Sequence, residues 1–348
     1  MAKILFILKK NQDYSFSYSS NVTLGQLEAV TGLFHSCKFI NDMLVRNNFV
    51  SKIAIVRDNN DIDRECAKFE PTHVIIEGLW VVPEKFIELK LLHPKIKWIV
   101  RIHSDMPFLA NEGIAMDWIV KYFYQNVCVA ANSERTTEQI LKLAKLHVSH
   151  SPIHLPNCYP LDFTHKKYND KKDVLDIGCF GAIRPMKNQL SQAHAAINLA
   201  MKLKKKLNFH INGNRTEMKG DQILKNLVGL FDKLSHWQFN LIQHDWLDRT
   251  SFLSLIKEMD IGMQVSFSET FNIVAADFIY CGVPVVCSNE IPWASSVFTA
   301  NSNNINNMYK MLLRTHNHSW LNVAMNKRLL KDYSADSELT WLEYFREH

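Results

Sequence analysis

Glu269 and Asp277 stand eight residues apart in the stretch VSFSETFNIVAADFIYCGVPVVCSNEIPW, Val265 to Trp293. That spacing is about two helical turns, so both side chains fall on one helix face. Carboxylates accept hydrogen bonds, and a pair placed this way suits the vicinal hydroxyls of a sugar and of a ribose. Thr270, Phe271 and Asn272 sit between them at the start of the helix read over Asn272 to Tyr280. A helix start offers free N–H groups and a positive dipole end, which favour an anion such as phosphate. A second group is Gly181, Arg184 and Lys187, a glycine followed by two cations just before another helix. Mobile cations beside helix N–H donors are suited to a diphosphate. Bases at a helix start oppose the dipole, which argues against a purely structural role for them. His103 is delivered with Ser104 and Asp105 by a strand over Lys97–Ile102; a lone histidine reads as a structural hydrogen-bonder, and Asp105 is the carboxylate beside it in sequence.

These residues need a sheet to hold them. Asp260–Val265 and Val283–Cys287 read as buried strands around the helix that follows Glu269, the strand–loop–helix–strand unit of a parallel sheet. In open α/β sheets, ligands bind at the carboxyl ends of the strands. Further strands are expected at Lys3–Leu8, Lys52–Val56, His73–Ile76 and Val127–Ala130. A polar loop, Asn11 to Thr31, leads into a helix that Gly32 opens and that runs to about Asn47. The second half repeats the pattern with strands at Val174–Gly181, Leu207–Ile211 and Phe239–Gln243, placing Asn212 and His244 at carboxyl ends. A Lys-rich shift in composition marks residues 159–173 as a linker between a domain over 1–158 and another over 174–336. Ser337–His348 reads as a terminal amphipathic helix. Asp61-Ile62-Asp63 spells an acidic D-x-D pattern but reads as a helix start, so no metal site is expected.

The totals agree with a two-domain α/β protein. The chain has 348 residues, 47% hydrophobic and 22% charged, enough for two cores. No run approaches the roughly 18 apolar residues of a membrane span. The N-terminus is too short and too soon re-charged for a signal peptide. Seven cysteines without a C-x-x-C pair point to free thiols in a reducing, cytoplasmic setting. A net charge of +5 is compatible with a polyanionic partner, either DNA or an anionic membrane surface.

The stretch from Glu269 onward resembles the donor-site motif of the retaining GT-B glycosyltransferases, the glycogen-synthase-like group 1 class. That motif is E-x7-E followed by a helix ending in C-G-V-P-V-V. Here Glu269, Asp277 and Cys281-Gly282-Val283-Pro284-Val285-Val286 match it, with Asp for the second Glu and Asn272 where a glycine is usual. The family's G-R-x4-K pattern is met by Gly181 and Lys187, while Ala182 holds the arginine position and Arg184 follows two residues on. The resemblance implies two Rossmann-like, doubly wound parallel-sheet domains facing across a cleft, with the C-terminal helix crossing back. It implies a UDP- or GDP-sugar donor, with Lys187 and Arg184 on the diphosphate, Glu269 on the sugar and Asp277 on the ribose. Gly32 would face the phosphates, Asn212 and His244 would lie beside the nucleotide, and His103 would contact the sugar. Retention of configuration with neither metal nor cofactor is implied as well. The acceptor is left open between a polysaccharide or lipopolysaccharide and a hydroxymethylated base in DNA, the latter for a phage-type enzyme in host cytoplasm. A nucleotide-sugar epimerase and a non-catalytic nucleotide-sugar binding protein are the alternatives with the same architecture.

Overall fold

The computed structural model describes residues 2–10, 32–144, 151–163 and 173–347. The polar loop over 11–31 and Lys166, Lys167, Lys171 and Lys172 of the linker lie outside the described residues. The chain divides into two compact units, Met1–Tyr159 with Ser334–His348, and Pro160–Tyr333.

The first unit is a six-stranded parallel sheet. Its strands are β1 (Lys3–Lys9), β2 (Val50–Val56), β3 (His73–Glu77), β4 (Lys97–Ile102), β5 (Cys128–Ala131) and β6 (Ile153–His154), in the order β2-β1-β3-β4-β5-β6. Every residue of β3 is buried, with Val74, Ile75 and Ile76 as its apolar centre, as in a strand covered on both faces. On one face, Leu5, Ile7, Val74 and Ile76 join a core with Phe86, Tyr122 and Phe123. On the other, Ile4 and Phe6 pack with Ile40, Met43 and Leu44 of α1 (Gly32–Arg46) and with Trp341 and Phe345. Ser151–Asn157, which resembles the last strand of the first domain in GT-B glycosyltransferases, pairs only over Ile153 and His154. Pro152 and Pro156 lack the N–H that a longer ladder needs. The acidic Asp61-Ile62-Asp63 lies in the first turn of α2 (Asp61–Phe69), where Asp63 accepts a hydrogen bond from His93 Nε2 at 2.8 Å.

The second unit is also a six-stranded parallel sheet. Its strands are β7 (Val174–Gly178), β8 (Lys206–Asn212), β9 (Phe239–His244), β10 (Ile261–Gln264), β11 (Val285–Ser288) and β12 (Thr299–Ala300), ordered β12-β11-β10-β7-β8-β9. The helices at Ala115–Tyr124 in the first unit and Gly220–Leu234 in the second, not anticipated from the sequence, each bury an apolar stripe that includes Ile119 and Phe123, or Leu227 and Phe231. The terminal helix is longer than expected. It starts at Ser319 and runs unbroken to Glu347, a stretch with neither glycine nor proline to stop it. Its residues to Tyr333 belong to the second unit, where Asn322 brackets Val285 by accepting from its N–H at 3.0 Å and donating to its carbonyl at 2.9 Å.

The doubly wound order matters for function. The sheet of the second unit grows in one direction from β7 through β8 to β9, and in the other through β10 to β12. Strand order therefore reverses between β7 and β10, and the loops leaving their carboxyl ends part to either side of the sheet and leave a crevice.

Candidate functional site

Two loops meet at that reversal, Cys179–Asn188 after β7 and Val265–Asn272 after β10. Backbone and side-chain bonds stitch them together. Phe267 N–H donates to the Met186 carbonyl at 2.9 Å, and Asn188 Nδ2 to the Val265 carbonyl at 3.2 Å. Gln192, from the helix α7 (Gln189–Leu203), accepts from Val265 N–H at 2.8 Å and donates to the Lys187 carbonyl at 2.7 Å. Lys187 ends a single 3-10 turn, Pro185–Lys187, and the left-handed backbone of Asn188 (φ 55°) then turns the chain into α7. The consequence is a direct contact across the reversal, with Lys187 Nζ 2.5 Å from Glu269 Oε1. These side chains are 82 residues apart in the chain and only 15% and 9% exposed.

Asn272 supports this pair. It donates from Nδ2 to Glu269 Oε1 at 2.9 Å and to Gln264 Oε1 at 3.0 Å. Its Oδ1 caps α10 (Ile273–Tyr280) by accepting from Ala275 N–H at 2.9 Å. The residue sits at φ 61°, which explains an asparagine where glycine is usual, since these two enter the left-handed region most readily. Asn272→Gly should keep the left-handed backbone but lose the cap and the bonds to Glu269 and Gln264, whereas Asn272→Ala should lose the same bonds and add strain. We expect Asn272→Ala to cost about 1–2 kcal/mol more than Asn272→Gly. Chemical denaturation of both variants checks the order. Equal losses would refute the conformational argument.

The other expected site residues are distributed around this centre. Gly181 needs its glycine for the backbone, at φ 115°, since an added Cβ would meet nothing within 4 Å. Its N–H donates to Asn212 Oδ1 at 2.8 Å, which ties the β7 loop to the end of β8. Asn212 pairs in register with His244 at the end of β9. His244 belongs to a chain of three side chains: its Nε2 lies 2.8 Å from His210 Nδ1, and His210 Nε2 lies 3.2 Å from Asp176 Oδ1. Burial, reinforced by the neighbouring His210, pushes the His244 imidazole below its ordinary value. Thr270 is nearly buried, and Phe271 is core: its ring packs on Trp293 and Tyr333, and its carbonyl accepts from Trp293 Nε1 at 2.8 Å.

Two expected ligand contacts are engaged within the protein. Asp277, 2% exposed, accepts from Arg249 Nη2 at 2.7 Å. Arg184 Nη1 lies 3.3 Å from Glu217 Oε2, while Glu217 Oε1 also receives Arg215. Glu217 and Arg249 carry no sequence signal of their own, because both partnerships form between elements distant in the chain.

In the first unit, Gly32 is the first residue of α1, and His103 follows β4. The carboxylate beside His103 is Glu77, not Asp105. Glu77 and Arg101 are opposite each other in the β3–β4 register, and His103 Nε2 contacts Glu77 Oε2. Asp105 turns instead to Arg135 and Thr136. Burial favours a neutral Glu77, but Arg101 and His103 outweigh it and hold the carboxyl below its ordinary value. Burial lowers the His103 imidazole despite the opposing pull of Glu77. Among the described residues, no group of three or more His, Cys, Asp or Glu side chains is placed to hold a metal, and no helix is long and apolar enough to cross a membrane.

The sequence pattern of the family described as Glycosyl transferases group 1 matches residues 162–319, which covers both loops of the site. No curated protein matches the chain in sequence. Solved structures match it in fold. Sucrose-phosphate synthase from Thermosynechococcus elongatus superposes with a TM-score of 0.68 at 10% identity, over 100% of this chain and 99% of that one. A UDP-forming trehalose-phosphate synthase from Burkholderia vietnamiensis gives 0.68 at 8% identity, over 100% and 96%. HepE of Anabaena, determined in complex with UDP and glucose, gives 0.63 at 11% identity, over 100% of both chains. The two parallel sheets with their flanking helices form the GT-B fold of these neighbours.

Proposed function

We propose that this protein is a retaining glycosyltransferase that takes a sugar from a UDP- or GDP-sugar and moves it to an acceptor hydroxyl. The contact between Lys187 and Glu269 at the strand-order reversal carries the reading. An ion pair 9–15% exposed, on two loops stitched together, is preorganised to receive one ligand with an anionic and a hydroxylated part. In this reading Lys187 turns to the diphosphate when the donor binds, and Glu269, still held by Asn272, accepts hydrogen bonds from the sugar. As the glycosidic bond breaks, negative charge grows on the diphosphate, and Lys187 stabilises it there more than in the bound donor. Arg184 adds positive charge on the same loop, so this step is assigned to side chains without a metal. Gly181, Thr270, Phe271, Asn272 and Asn212 shape the loops, His244 lies toward the nucleobase, and Asp277 bears on the ribose through Arg249. His103 is assigned a sugar hydroxyl.

The acceptor hydroxyl belongs to a glycan or to a hydroxymethylated base in DNA. Binding to duplex DNA that weakens steeply with salt would select DNA, and none at low salt would select the glycan. Free cysteines fit a cytoplasmic setting. The primary test is a melting-temperature screen with UDP-glucose and other UDP- and GDP-sugars. At 100 times its Kd a donor should add about 2.7 kcal/mol of stability, read as a rise in Tm. No rise with any nucleotide sugar at millimolar concentration would overturn the reading.

A further inference from the structure

Glu77 is fully buried at the end of β3, yet Arg101 and His103 both converge on its carboxylate. Arg101 Nη1 lies 3.1 Å from Glu77 Oε2 and 3.3 Å from Oε1. Arg101 Nη1 also lies 3.4 Å from His103 Nε2, and the other Arg101 donors are spent on structure, Nε on the Leu155 carbonyl at 2.8 Å and Nη2 on Asn157 Oδ1 at 2.5 Å. The guanidinium also lies 5.3 Å from the ring of Trp341, whose Nε1 donates to the Pro156 carbonyl at 2.7 Å. Arg101 is thereby held in one orientation by β4, by the segment after β6 and by the terminal helix.

A guanidinium keeps its charge, so the carboxylate against it is ionised and can only accept. The proton in the contact between Glu77 Oε2 and His103 Nε2 therefore belongs to the histidine. A neutral imidazole with its proton on Nε2 has Nδ1 as its acceptor. Glu77 is 0% exposed and cannot touch a ligand, whereas the His103 side chain is 17% exposed.

We propose that Glu77 is a positioning residue that sets the ring orientation and tautomer of His103, so that Nδ1 accepts a hydrogen bond from a sugar hydroxyl. This rests on the reading of His103 as a substrate contact. A structural ion pair would need only Glu77 and Arg101; the third member on the same carboxylate oxygen gives the pair a chemical consequence. The other titratable groups that feel the Arg101 charge are Cys37 on α1, His154 on β6 and Cys158. Burial raises both of these thiols and keeps His154 low, so none of the three carries charge at neutral pH.

The test is nitrogen-15 NMR of the histidine side chains in the full-length protein at pH 7.5, without ligand, with His103→Gln to assign the resonance. A neutral ring protonated on Nε2 is expected. A ring protonated on Nδ1, or a charged ring, overturns the proposal, whatever becomes of the enzymatic reading. Glu77→Gln should lower the His103 titration midpoint, because a negative charge that favours the imidazolium is gone. With the nucleotide sugar that stabilises the protein as probe, the acid limb of kcat should move to lower pH with it. Turnover should fall about tenfold or more while KM for the donor holds, and Glu77→Asp should recover part of the loss. Unchanged kcat and an unmoved acid limb in folded Glu77→Gln would also overturn it. Should that variant not fold, the wild-type tautomer decides. Absence of transfer with every nucleotide sugar would refute the proposed function and leave the tautomer result standing.

Discussion

Lys187→Ala should lower turnover about 100- to 1,000-fold, the loss expected when one preorganised charge is removed from a developing anion. The side chain is placed for this by three independent ties: the 3-10 turn that ends on it, the Gln192 bond to its carbonyl, and the Glu269 contact. Its removal also leaves Glu269 nearly buried with Asn272 as a neutral partner, which should cost about 1–3 kcal/mol of stability. The two effects separate in the double variant Lys187→Ala with Glu269→Gln. Removing the Glu269 charge should restore stability toward the wild type, while activity stays lost. Steady-state kinetics and denaturant melts on the single and double variants make the comparison. Turnover within threefold of wild type in folded Lys187→Ala would remove the lysine from the chemistry.

Arg101→Leu should destabilise the first unit by about 3–5 kcal/mol. The residue is 0% exposed and its loss strands the Glu77 carboxylate, the Asn157 side chain and the Leu155 carbonyl together. The same cluster dictates how wild-type stability responds to acid. His103 titrates below its ordinary value when folded, so the unfolded chain binds its proton first. Its contribution is complete above the ordinary value of about 6.5 and is lost as pH falls through that value toward the lowered one. Glu77 is lowered too, so its contribution is present above about 4.3 and declines below that. Acid should therefore weaken the wild type in two stages. In Arg101→Leu the second stage should shrink, because burial then favours the protonated carboxyl. Guanidinium melts at pH 7.5, 5.5 and 4 test this, and an acid response unchanged by the substitution would contradict it.

The residues of the two loops at the strand-order reversal were legible in the sequence alone. Hydrophobic runs of strand length, punctuated by glycine and by helix starts, placed Lys187 and Glu269 at the carboxyl ends of two strands. The chemistry of a basic loop and an acidic one could be read locally, because each loop is a few residues long. Asn272 looked like a departure and proved to suit its position, since its left-handed backbone accepts asparagine and its side chain bonds Glu269. Helix boundaries were less legible. Ser337 carried the amphipathic pattern, but only the lack of a breaker back to Ser319 defined the helix that formed.

Local pattern in the chain thus determined the α/β class, the parallel strands and the residue types at the loops, because burial and backbone preference act over a few neighbouring residues. Tertiary structure decided which charges meet. Strand order set β10 beside β7 and so brought Glu269 to Lys187, and the β3–β4 register put Glu77, rather than Asp105, against His103. Such pairings depend on register between strands tens of residues apart, and a side chain carries no local mark of the partner that a neighbouring strand will deliver.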